Sequence, residues 1–131
     1  MSVTDLSPDE LARYSRHIML PEVGSEGQVR LKQGSVLVIG AGGLGSPALL
    51  YLANPGVGRI GIIDDDVVDL SNLQRQVIHD TGSIGEPKST SAKARLEGVN
   101  PEVDVVEHCE RLTSENALDI LADYDVIVDG T

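Results

Sequence analysis

Residues 35–47 decide the fold of this chain, and they read Ser-Val-Leu-Val-Ile-Gly-Ala-Gly-Gly-Leu-Gly-Ser-Pro. The β-branched apolar run 36–39 predicts a short buried strand. The glycines that follow have the spacing Gly40-x-Gly42-x-x-Gly45, which is typical of a dinucleotide-binding turn. In such a turn Gly40 makes the tight bend, Gly42 lets a phosphate approach the backbone, and Gly45 lets the next helix lie close to the strand.

The two residues after this turn predict where the next helix begins. Ser46 is a good N-cap residue, and Pro47 suits the first helical position. The free N–H groups and the positive dipole end of that helix would then face the same space as the glycines. Anions bind in such a space, so the stretch predicts a phosphate site.

A second predicted strand, residues 59–64, ends in an acid. Asp64 lies at about the 20-residue spacing expected of a carboxylate that binds a ribose hydroxyl. Strand, glycine turn, helix, strand and terminal acid together predict a nucleotide-binding βαβ unit. The alternative is a glycine-rich turn that only tightens the connection. Asp66 is equally consistent with a ligand and with an acidic turn.

The composition favours an α/β fold. Hydrophobic residues make up 40% of the 131, with no Trp, no Phe and three Tyr, so the core must be built from Val, Ile, Leu and Ala. Such a core suits a mainly parallel sheet covered by helices on both faces, a Rossmann-like three-layer sandwich. The chain is expected to stop after about the fourth strand.

Charge and cysteine content exclude several classes of function. The net charge of −11 argues against nucleic acid or an anionic membrane as a partner. The single cysteine, Cys109, rules out an intrachain disulfide and a multi-cysteine zinc site, and we expect it to be buried and inert. No apolar run approaches the roughly 20 residues of a membrane span, and no signal peptide is evident, so we expect a cytoplasmic protein.

Residues 1–34 are predicted to form a helical arm before a nucleotide-binding domain at 35–131. The sequence Ser7-Pro8-Asp9-Glu10 is a capping box that starts a helix, which Pro21 ends, and a short helix follows at 26–32. A minimal nucleotide-binding fold needs no such arm, so the arm suggests packing on a partner or across a dimer. Later elements are predicted as helices at 47–53, 87–97 and 114–122, the last capped by Ser114, and as strands at 103–106 and 126–128.

The long connection 65–87 contains the remaining polar candidates. Arg75, in the loop Ser71-Asn72-Leu73-Gln74-Arg75-Gln76, is a candidate phosphate ligand, although Asn72 could cap a helix and Arg75 could pair with a surface Asp. Lys88 is predicted in the first turn of the next helix, where a positive charge interacts unfavourably with the helix dipole. This placement suggests either a lysine beside a polyphosphate or a solvated surface lysine. His17, His79 and His108 lack metal-ligand spacing and receive no role.

Seven segments together resemble one family of enzymes. They are Arg13-Tyr14-Ser15-Arg16-His17, Gly40-Ala41-Gly42-Gly43-Leu44-Gly45, Asp64-x-Asp66, Ser71-Asn72-Leu73-Gln74-Arg75-Gln76, Gly85-x-Pro87-Lys88, Asn100-Pro101 and Asp129-Gly130-Thr131. In this order they resemble the HesA/MoeB/ThiF family, the adenylyltransferases that activate ubiquitin-like sulfur carriers in molybdopterin and thiamine biosynthesis. The resemblance covers residues 6–131 and corresponds to the N-terminal nucleotide-binding half.

The resemblance implies an ATP- and magnesium-dependent reaction. The C-terminal glycine of a β-grasp sulfur carrier attacks the α-phosphate of ATP, and the resulting acyl-adenylate then accepts sulfur. The implied nucleotide-binding residues are Gly40, Gly42, Gly43, Gly45, Asp64, Asp66, Ser71, Asn72, Leu73, Gln74, Arg75 and Lys88. The implied catalytic cations are Arg75, Lys88 and Arg16, and Arg16 would reach the ATP of a neighbouring subunit in a homodimer.

The chain also departs from the family pattern. Family members are about twice as long, and the Asp that holds magnesium is expected just beyond Thr131. The paired Cys-x-x-Cys zinc motifs and the sulfur-transfer cysteine are absent from this chain. We therefore expect a fragment that lacks full activity, and the carrier and pathway stay open.

Two alternatives belong to other classes of function. The first is a truncated interaction module without catalytic activity. The second is an NAD-dependent oxidoreductase, which is disfavoured because Arg75 and Lys88 crowd the space that a nicotinamide would need.

Overall fold

The structure, a computed structural model, describes residues 5–131 and is built around a parallel sheet of four strands in that range. The strands are β1 (Ser35–Ile39), β2 (Arg59–Ile63), β3 (Asp104–His108) and β4 (Val126–Asp129). The helices are α1 (Pro8–Arg13), α2 (Ser15–Ile18), α3 (Gly24–Gln33), α4 (Gly45–Ala53), α5 (Lys88–Val99) and α6 (Ala117–Leu121). Within residues 5–131 no helix is long and apolar enough to cross a membrane.

The strand order β3-β2-β1-β4 determines where a ligand can bind. The chain builds outward from β1 to β3 and then returns to add β4 on the other side of β1, and every pairing is parallel. In a parallel sheet the place where the order reverses leaves a crevice at the carboxyl ends of the strands. That crevice lies beside β1, where the glycine turn begins.

Helices cover both faces of the sheet. On one face, the alternating side chains of β1 and β2 pack against α4 and α5 in one apolar cluster that includes Val38, Ile62, Leu49 and Leu96. On the other face, Leu37 of β1 and Ile63 of β2 pack with Tyr124 and with α6. This arrangement confirms the predicted three-layer α/β sandwich with a core of aliphatic side chains.

The start of α4 differs in detail from the prediction. A Cβ atom on Gly45 would collide with the carbonyl oxygen of Gly40, so this glycine does allow the helix to lie against the turn. Ser46, however, is not the N-cap: Leu44 occupies that position and makes no side-chain capping bond. Ser46 is buried and donates its hydroxyl hydrogen to the carbonyl oxygen of Ala41 at 3.4 Å, so it supports the turn instead.

The leading helices are also divided differently. The predicted capping box is confirmed, since at the start of α1 the backbone N–H groups of Ser7 and Glu10 each donate to the side chain of the other residue. The single predicted helix is wrong: Tyr14, at φ −101° and ψ 13°, leaves helical geometry and separates α1 from α2. Its ring turns into the interior, where the hydroxyl group meets Asn100.

The last helix begins later than predicted. Ser114 does not cap it, because residues 113–116 form a turn held by reciprocal bonds between Thr113 and Asn116. Asn116 takes the N-cap position and α6 starts at Ala117.

A buried polar junction joins the leading helices to the sheet. The Asn100 side chain is fully buried, and its amide donates to the Tyr14 hydroxyl at 2.8 Å and to the Ala53 carbonyl oxygen at 2.7 Å. Its amide oxygen accepts from the backbone N–H of Glu102. Nearby, the Gln28 side chain donates to the Pro55 carbonyl oxygen at 2.8 Å. Asn100 therefore ties α1 and α2 to the ends of α4 and α5.

Replacing Asn100 with Ala is expected to lower the free energy of unfolding by about 2–3 kcal/mol, because buried hydrogen-bonding groups lose their partners. Tyr14→Phe removes one bond of the same junction and keeps the ring, so we expect about 1 kcal/mol. Urea unfolding followed by circular dichroism measures both. Equal midpoints for Asn100→Ala and the unsubstituted chain would contradict the importance of this junction.

Candidate functional site

A cleft of about 660 Å³ lies at the carboxyl ends of the strands, where the topology predicts a ligand site. This volume is within the range of pockets that hold small ligands, about 300–1,000 Å³. Every strand contributes residues to the walls at or just after its end. The lining residues are Ile39, Gly40, Gly42, Gly43, Ile63, Asp64, Asp65, Asp66, Lys88, Glu110, Arg111, Leu112, Gly130 and Thr131.

The glycine turn forms one wall of the cleft. Gly40 has a φ of 93°, a conformation that side chains disfavour, and its N–H donates to the carbonyl oxygen of Ile63 at the end of β2. Gly42 and Gly43 follow, and within residues 5–131 their backbone N–H groups have no hydrogen-bond acceptor. Unpaired backbone donors beside a cleft are suited to phosphate oxygens.

Asp64 ties the glycine turn to β2. One carboxylate oxygen accepts from the backbone N–H of Ala41 at 2.8 Å, and the other accepts from the N–H of Asp66 at 2.7 Å. Each carboxylate oxygen keeps a further lone pair, so Asp64 can still accept a hydrogen bond from a ligand hydroxyl. The acid predicted from its spacing therefore lines the cleft and also supports the turn.

Lys88 lies inside the cleft rather than on the surface. It begins α5 as predicted and is only 7% exposed, which excludes the alternative of a solvated surface lysine. Its ammonium nitrogen lies 3.8 Å from a carboxylate oxygen of Asp66, and its backbone N–H donates to the Asp66 carbonyl oxygen at 2.9 Å. This geometry presents a positive charge next to the acids that follow β2.

The loop at 71–76 lies beside the glycine turn, outside the set of residues that line the cleft. Ser71, Asn72, Leu73, Gln74 and Arg75 are all in this position. The side chain of Asn72 accepts from the backbone N–H of Asp69 in a capping box, which is the structural role that the sequence left open.

Arg75 approaches the glycine turn at Gly43. Its Nε atom lies 3.8 Å from where a Cβ atom of Gly43 would be, and its guanidinium donates to the Ser71 carbonyl oxygen at 3.4 Å. Arg75 makes no ion pair with any described residue, so the surface Asp considered as its partner is not found.

Three other residues are placed away from the cleft or differently from the prediction. Arg16 is exposed on α2, and Gly45 lies at the start of α4, outside the set of residues that line the cleft. The expectation of a buried Cys109 is wrong: its thiol is free and exposed. The chain leaves the edge strand β3 at His108, so no neighbouring strand or helix covers the next residue.

Several cleft residues have no binding role in the predictions from the sequence. Glu110, Arg111 and Leu112 follow β3, Gly130 and Thr131 follow β4, and Asp65 follows β2. Their common signal is position, because each lies in the segment that follows a predicted strand of a parallel sheet. Arg111 adds a second cation to the lining.

His79, for which the sequence pattern predicts no role, is buried against the glycine turn. Its Nε2 lies 2.7 Å from the carbonyl oxygen of Ala41, and its Nδ1 lies 2.7 Å from the hydroxyl of Ser91 on α5. A carbonyl only accepts, so Nε2 carries the hydrogen, and in the neutral ring Ser91 donates to Nδ1. Burial lowers the pKa of His79 below 6.5, and the bond to the Ala41 carbonyl offsets part of that effect.

Gln76 is a second buried neighbour of the turn. Its amide nitrogen lies 3.4 Å from where a Cβ atom of Gly42 would be, so it packs close against that glycine. Its amide oxygen is buried and has no hydrogen-bond partner among the described residues.

The chain resembles known proteins over nearly its whole length. A family model described as "ThiF family" matches residues 14–131. A protein of Anopheles gambiae named adenylyltransferase and sulfurtransferase MOCS3 is 54% identical over 129 residues, covering 98% of this chain and 29% of that protein. A Thermus thermophilus protein named sulfur carrier protein adenylyltransferase is 54% identical over 123 residues, covering 94% of this chain and 45% of that protein.

Solved structures show the same fold. Escherichia coli TcdA, a tRNA N6-threonylcarbamoyladenosine dehydratase, in complex with ATP superposes with a TM-score of 0.90 at 27% identity, covering 96% of this chain and 51% of that chain. A crystal structure of PaaA gives a TM-score of 0.88 at 32% identity, covering 98% of this chain and 43% of that chain. The chain thus spans between about a third and a half of the length of these relatives.

The lowered pKa of His79 predicts that acid destabilises the protein. Unfolded histidine takes up its proton near pH 6.5, before folded His79 does, so the free energy of unfolding falls as the pH drops below 6.5. One such proton contributes at most about 1.4 kcal/mol per pH unit. Among the charges near the ring, Lys88 strengthens the shift, and Asp64 and Asp80 oppose it.

Urea unfolding at pH values of about 7, 6 and 5 tests this linkage, with His79→Gln as the matched variant that cannot titrate. We expect the unsubstituted chain to lose more stability than His79→Gln over this range. Identical pH dependence in the two proteins would show that His79 titrates alike in the folded and unfolded chains.

Proposed function

Because the chain belongs to the ThiF family, we propose that it forms the nucleotide-binding part of an ATP-dependent adenylyltransferase. The substrate that it activates is the C-terminal glycine of a ubiquitin-like sulfur carrier protein. The observation that carries the proposal is the pair of unpaired backbone N–H groups at Gly42 and Gly43, in a cleft that also contains buried Lys88. The names of the curated relatives supply the reaction type.

The cleft offers groups that suit the phosphates and the ribose of a nucleotide triphosphate. The N–H groups of Gly42 and Gly43 would bind phosphate oxygens, and Asp64 would accept a hydrogen bond from the ribose. Lys88 lines the cleft, and Arg75 approaches the glycine turn at Gly43. Fixed cations in these positions would hold the phosphate chain without the need to reorganise solvent.

In the reaction a carboxylate oxygen of the carrier attacks the α-phosphorus of ATP. The bond from that phosphorus to the bridging oxygen of the β-phosphate breaks, and pyrophosphate leaves. Two anionic reactants repel each other at the distance of attack, so the lysine and arginine charges lower the barrier by offsetting that repulsion. The acyl-adenylate then accepts sulfur at its carbonyl carbon and releases AMP.

A divalent cation would further neutralise the phosphates. Asp65, Asp66 and Glu110 line the cleft, and carboxylate oxygens are ligands that Mg²⁺ prefers. Within the described residues no three His, Cys, Asp or Glu side chains are grouped to hold a metal. Phosphate oxygens would therefore supply much of the coordination, which is the usual arrangement for Mg²⁺ bound with a nucleotide.

Arg16 fits this proposal through a second copy of the chain. It is exposed on α2 and makes no side-chain hydrogen bond or ion pair within residues 5–131. The buried junction at Tyr14 and Asn100 fixes α2 to the body of the protein. A homodimer would let Arg16 contact the phosphates bound by the partner.

Calorimetric titration with Mg²⁺–ATP is the first test. We expect Lys88→Ala and Arg75→Ala each to weaken ATP binding by about 10- to 100-fold, the effect of losing a charge-assisted hydrogen bond of about 1.5–3 kcal/mol. Titration with NAD should give no heat. NAD binding that is indifferent to both substitutions would overturn the proposal in favour of an oxidoreductase.

Two matched variants control for loss of charge. The first is Lys93→Ala: Lys93 is on the same helix as Lys88 but pairs with Glu97 away from the cleft. The second is Arg95→Ala, which removes an exposed guanidinium from α5. We expect both variants to bind ATP like the unsubstituted chain. If these controls lose as much affinity as Lys88→Ala, the effect comes from net charge and the specific site is wrong.

Arg16→Ala tests the contribution across a dimer. We expect Arg16→Ala to bind ATP more weakly, although Arg16 is outside the cleft of its own chain. We also expect the unsubstituted chain to lose affinity for ATP when it is diluted below the dissociation constant of the dimer. Light scattering measures the oligomeric state at each concentration. Unchanged binding by Arg16→Ala at dimeric concentrations would remove Arg16 from the site.

A further inference from the structure

We propose that His79 is a positioning residue that aims the backbone N–H of Gly42 into the phosphate site. The proposal rests on the proposed function for the identity of the ligand, a nucleotide polyphosphate. His79 does not line the cleft, so it acts through the Ala41 peptide rather than on the ligand.

The direction of the Gly42 N–H depends on the geometry of one peptide group. The carbonyl of Ala41 and the N–H of Gly42 belong to the same planar trans peptide, so they point in opposite directions. His79 Nε2 donates to that carbonyl oxygen at 2.7 Å, and the Ser46 hydroxyl donates to it at 3.4 Å. Holding the carbonyl toward His79 therefore fixes the direction of the Gly42 N–H.

The preceding peptide is held from the other side. The N–H of Ala41 donates to Asp64 at 2.8 Å, and the Ala41 side chain is fully buried. Both peptide planes around Ala41 are therefore tied, although glycines flank it on each side. Glycine backbones adopt many conformations, so without these bonds the N–H groups of Gly42 and Gly43 would sample directions away from the ligand.

His79 also connects the turn to the helix that carries Lys88. Its Nδ1 lies 2.7 Å from the hydroxyl of Ser91, which is on α5, three residues after Lys88. One buried ring thus spans from the backbone donors of the turn to the helix of the cationic side chain. The spacing between the two groups that would hold the phosphates depends on this bridge, which is preorganisation of a binding site.

Two substitutions separate the ring's hydrogen bonds from its volume. His79→Gln can place an amide N–H near the position of Nε2 and keep the bond to Ala41, whereas His79→Phe fills the space without any donor. We expect His79→Gln to bind Mg²⁺–ATP within about 3-fold of the unsubstituted chain and His79→Phe to bind at least about 10-fold more weakly, as expected for loss of a buried bond. If His79→Phe does not fold, His79→Asn replaces it, because the shorter amide reaches Ser91 and not Ala41.

Comparing adenosine with ATP distinguishes a positioning role of His79 from a merely structural one. It has no phosphate, so aiming of the Gly42 N–H should not affect its binding. We expect His79→Phe to lose affinity for ATP but not for adenosine. Equal losses for both ligands, or no loss for ATP, would overturn the positioning role.

Nuclear magnetic resonance tests the inference without any ligand. Nitrogen shifts of the His79 ring should show the neutral tautomer with hydrogen on Nε2, and the amide resonances of Gly42 and Gly43 should shift in His79→Phe but little in His79→Gln. A tautomer with hydrogen on Nδ1, or unmoved glycine resonances, would overturn the proposal. Failure of the unsubstituted chain to bind ATP would instead count against the proposed function, and these spectra would still decide the role of His79.

Discussion

The hydrogen bond from the backbone N–H of Ala41 to the carboxylate of Asp64 is the contact on which the site depends. It joins the turn after β1 to the end of β2, so the two strands that pair at the centre of the sheet also share one binding surface. The close approach of Gly45 to the Gly40 carbonyl then fixes where α4 begins. The cleft follows from these two constraints, because they leave Gly42 and Gly43 at its wall with unpaired donors.

Charge is the second organising feature. The chain has a net charge of −11, and the cleft itself contains Asp64, Asp65, Asp66 and Glu110 against Lys88 and Arg111. An anionic ligand can enter such a protein only where cations and oriented N–H groups outweigh the nearby acids. The burial of Lys88 beside Asp66 serves this purpose, because low solvent exposure strengthens the field of its ammonium group at the cleft.

Particular residues show how far local patterns predicted the structure. The capping box at Ser7, the tight turn at the glycines and the position of an acid at the end of β2 are confirmed, because each depends on neighbours within a few residues or on a repeated supersecondary unit. The predictions for Ser46, Tyr14 and Cys109 are wrong, because each depends on packing or exposure that a local sequence pattern does not show. Ser46 bonds the turn instead of capping, Tyr14 breaks a helix where it meets Asn100, and Cys109 leaves the sheet at an exposed edge.

The sequence by itself determined the fold class, the order of the elements and the identity of the glycine turn, since periodicity, capping and glycine spacing are local properties of the chain. Only the tertiary structure decided which side chains surround that turn. His79 is 38 residues from Ala41 in the sequence and touches its carbonyl, and Arg111 reaches the cleft from a different strand. Such contacts arise because parallel strands bring their carboxyl ends to one edge of the sheet, whatever their separation along the chain.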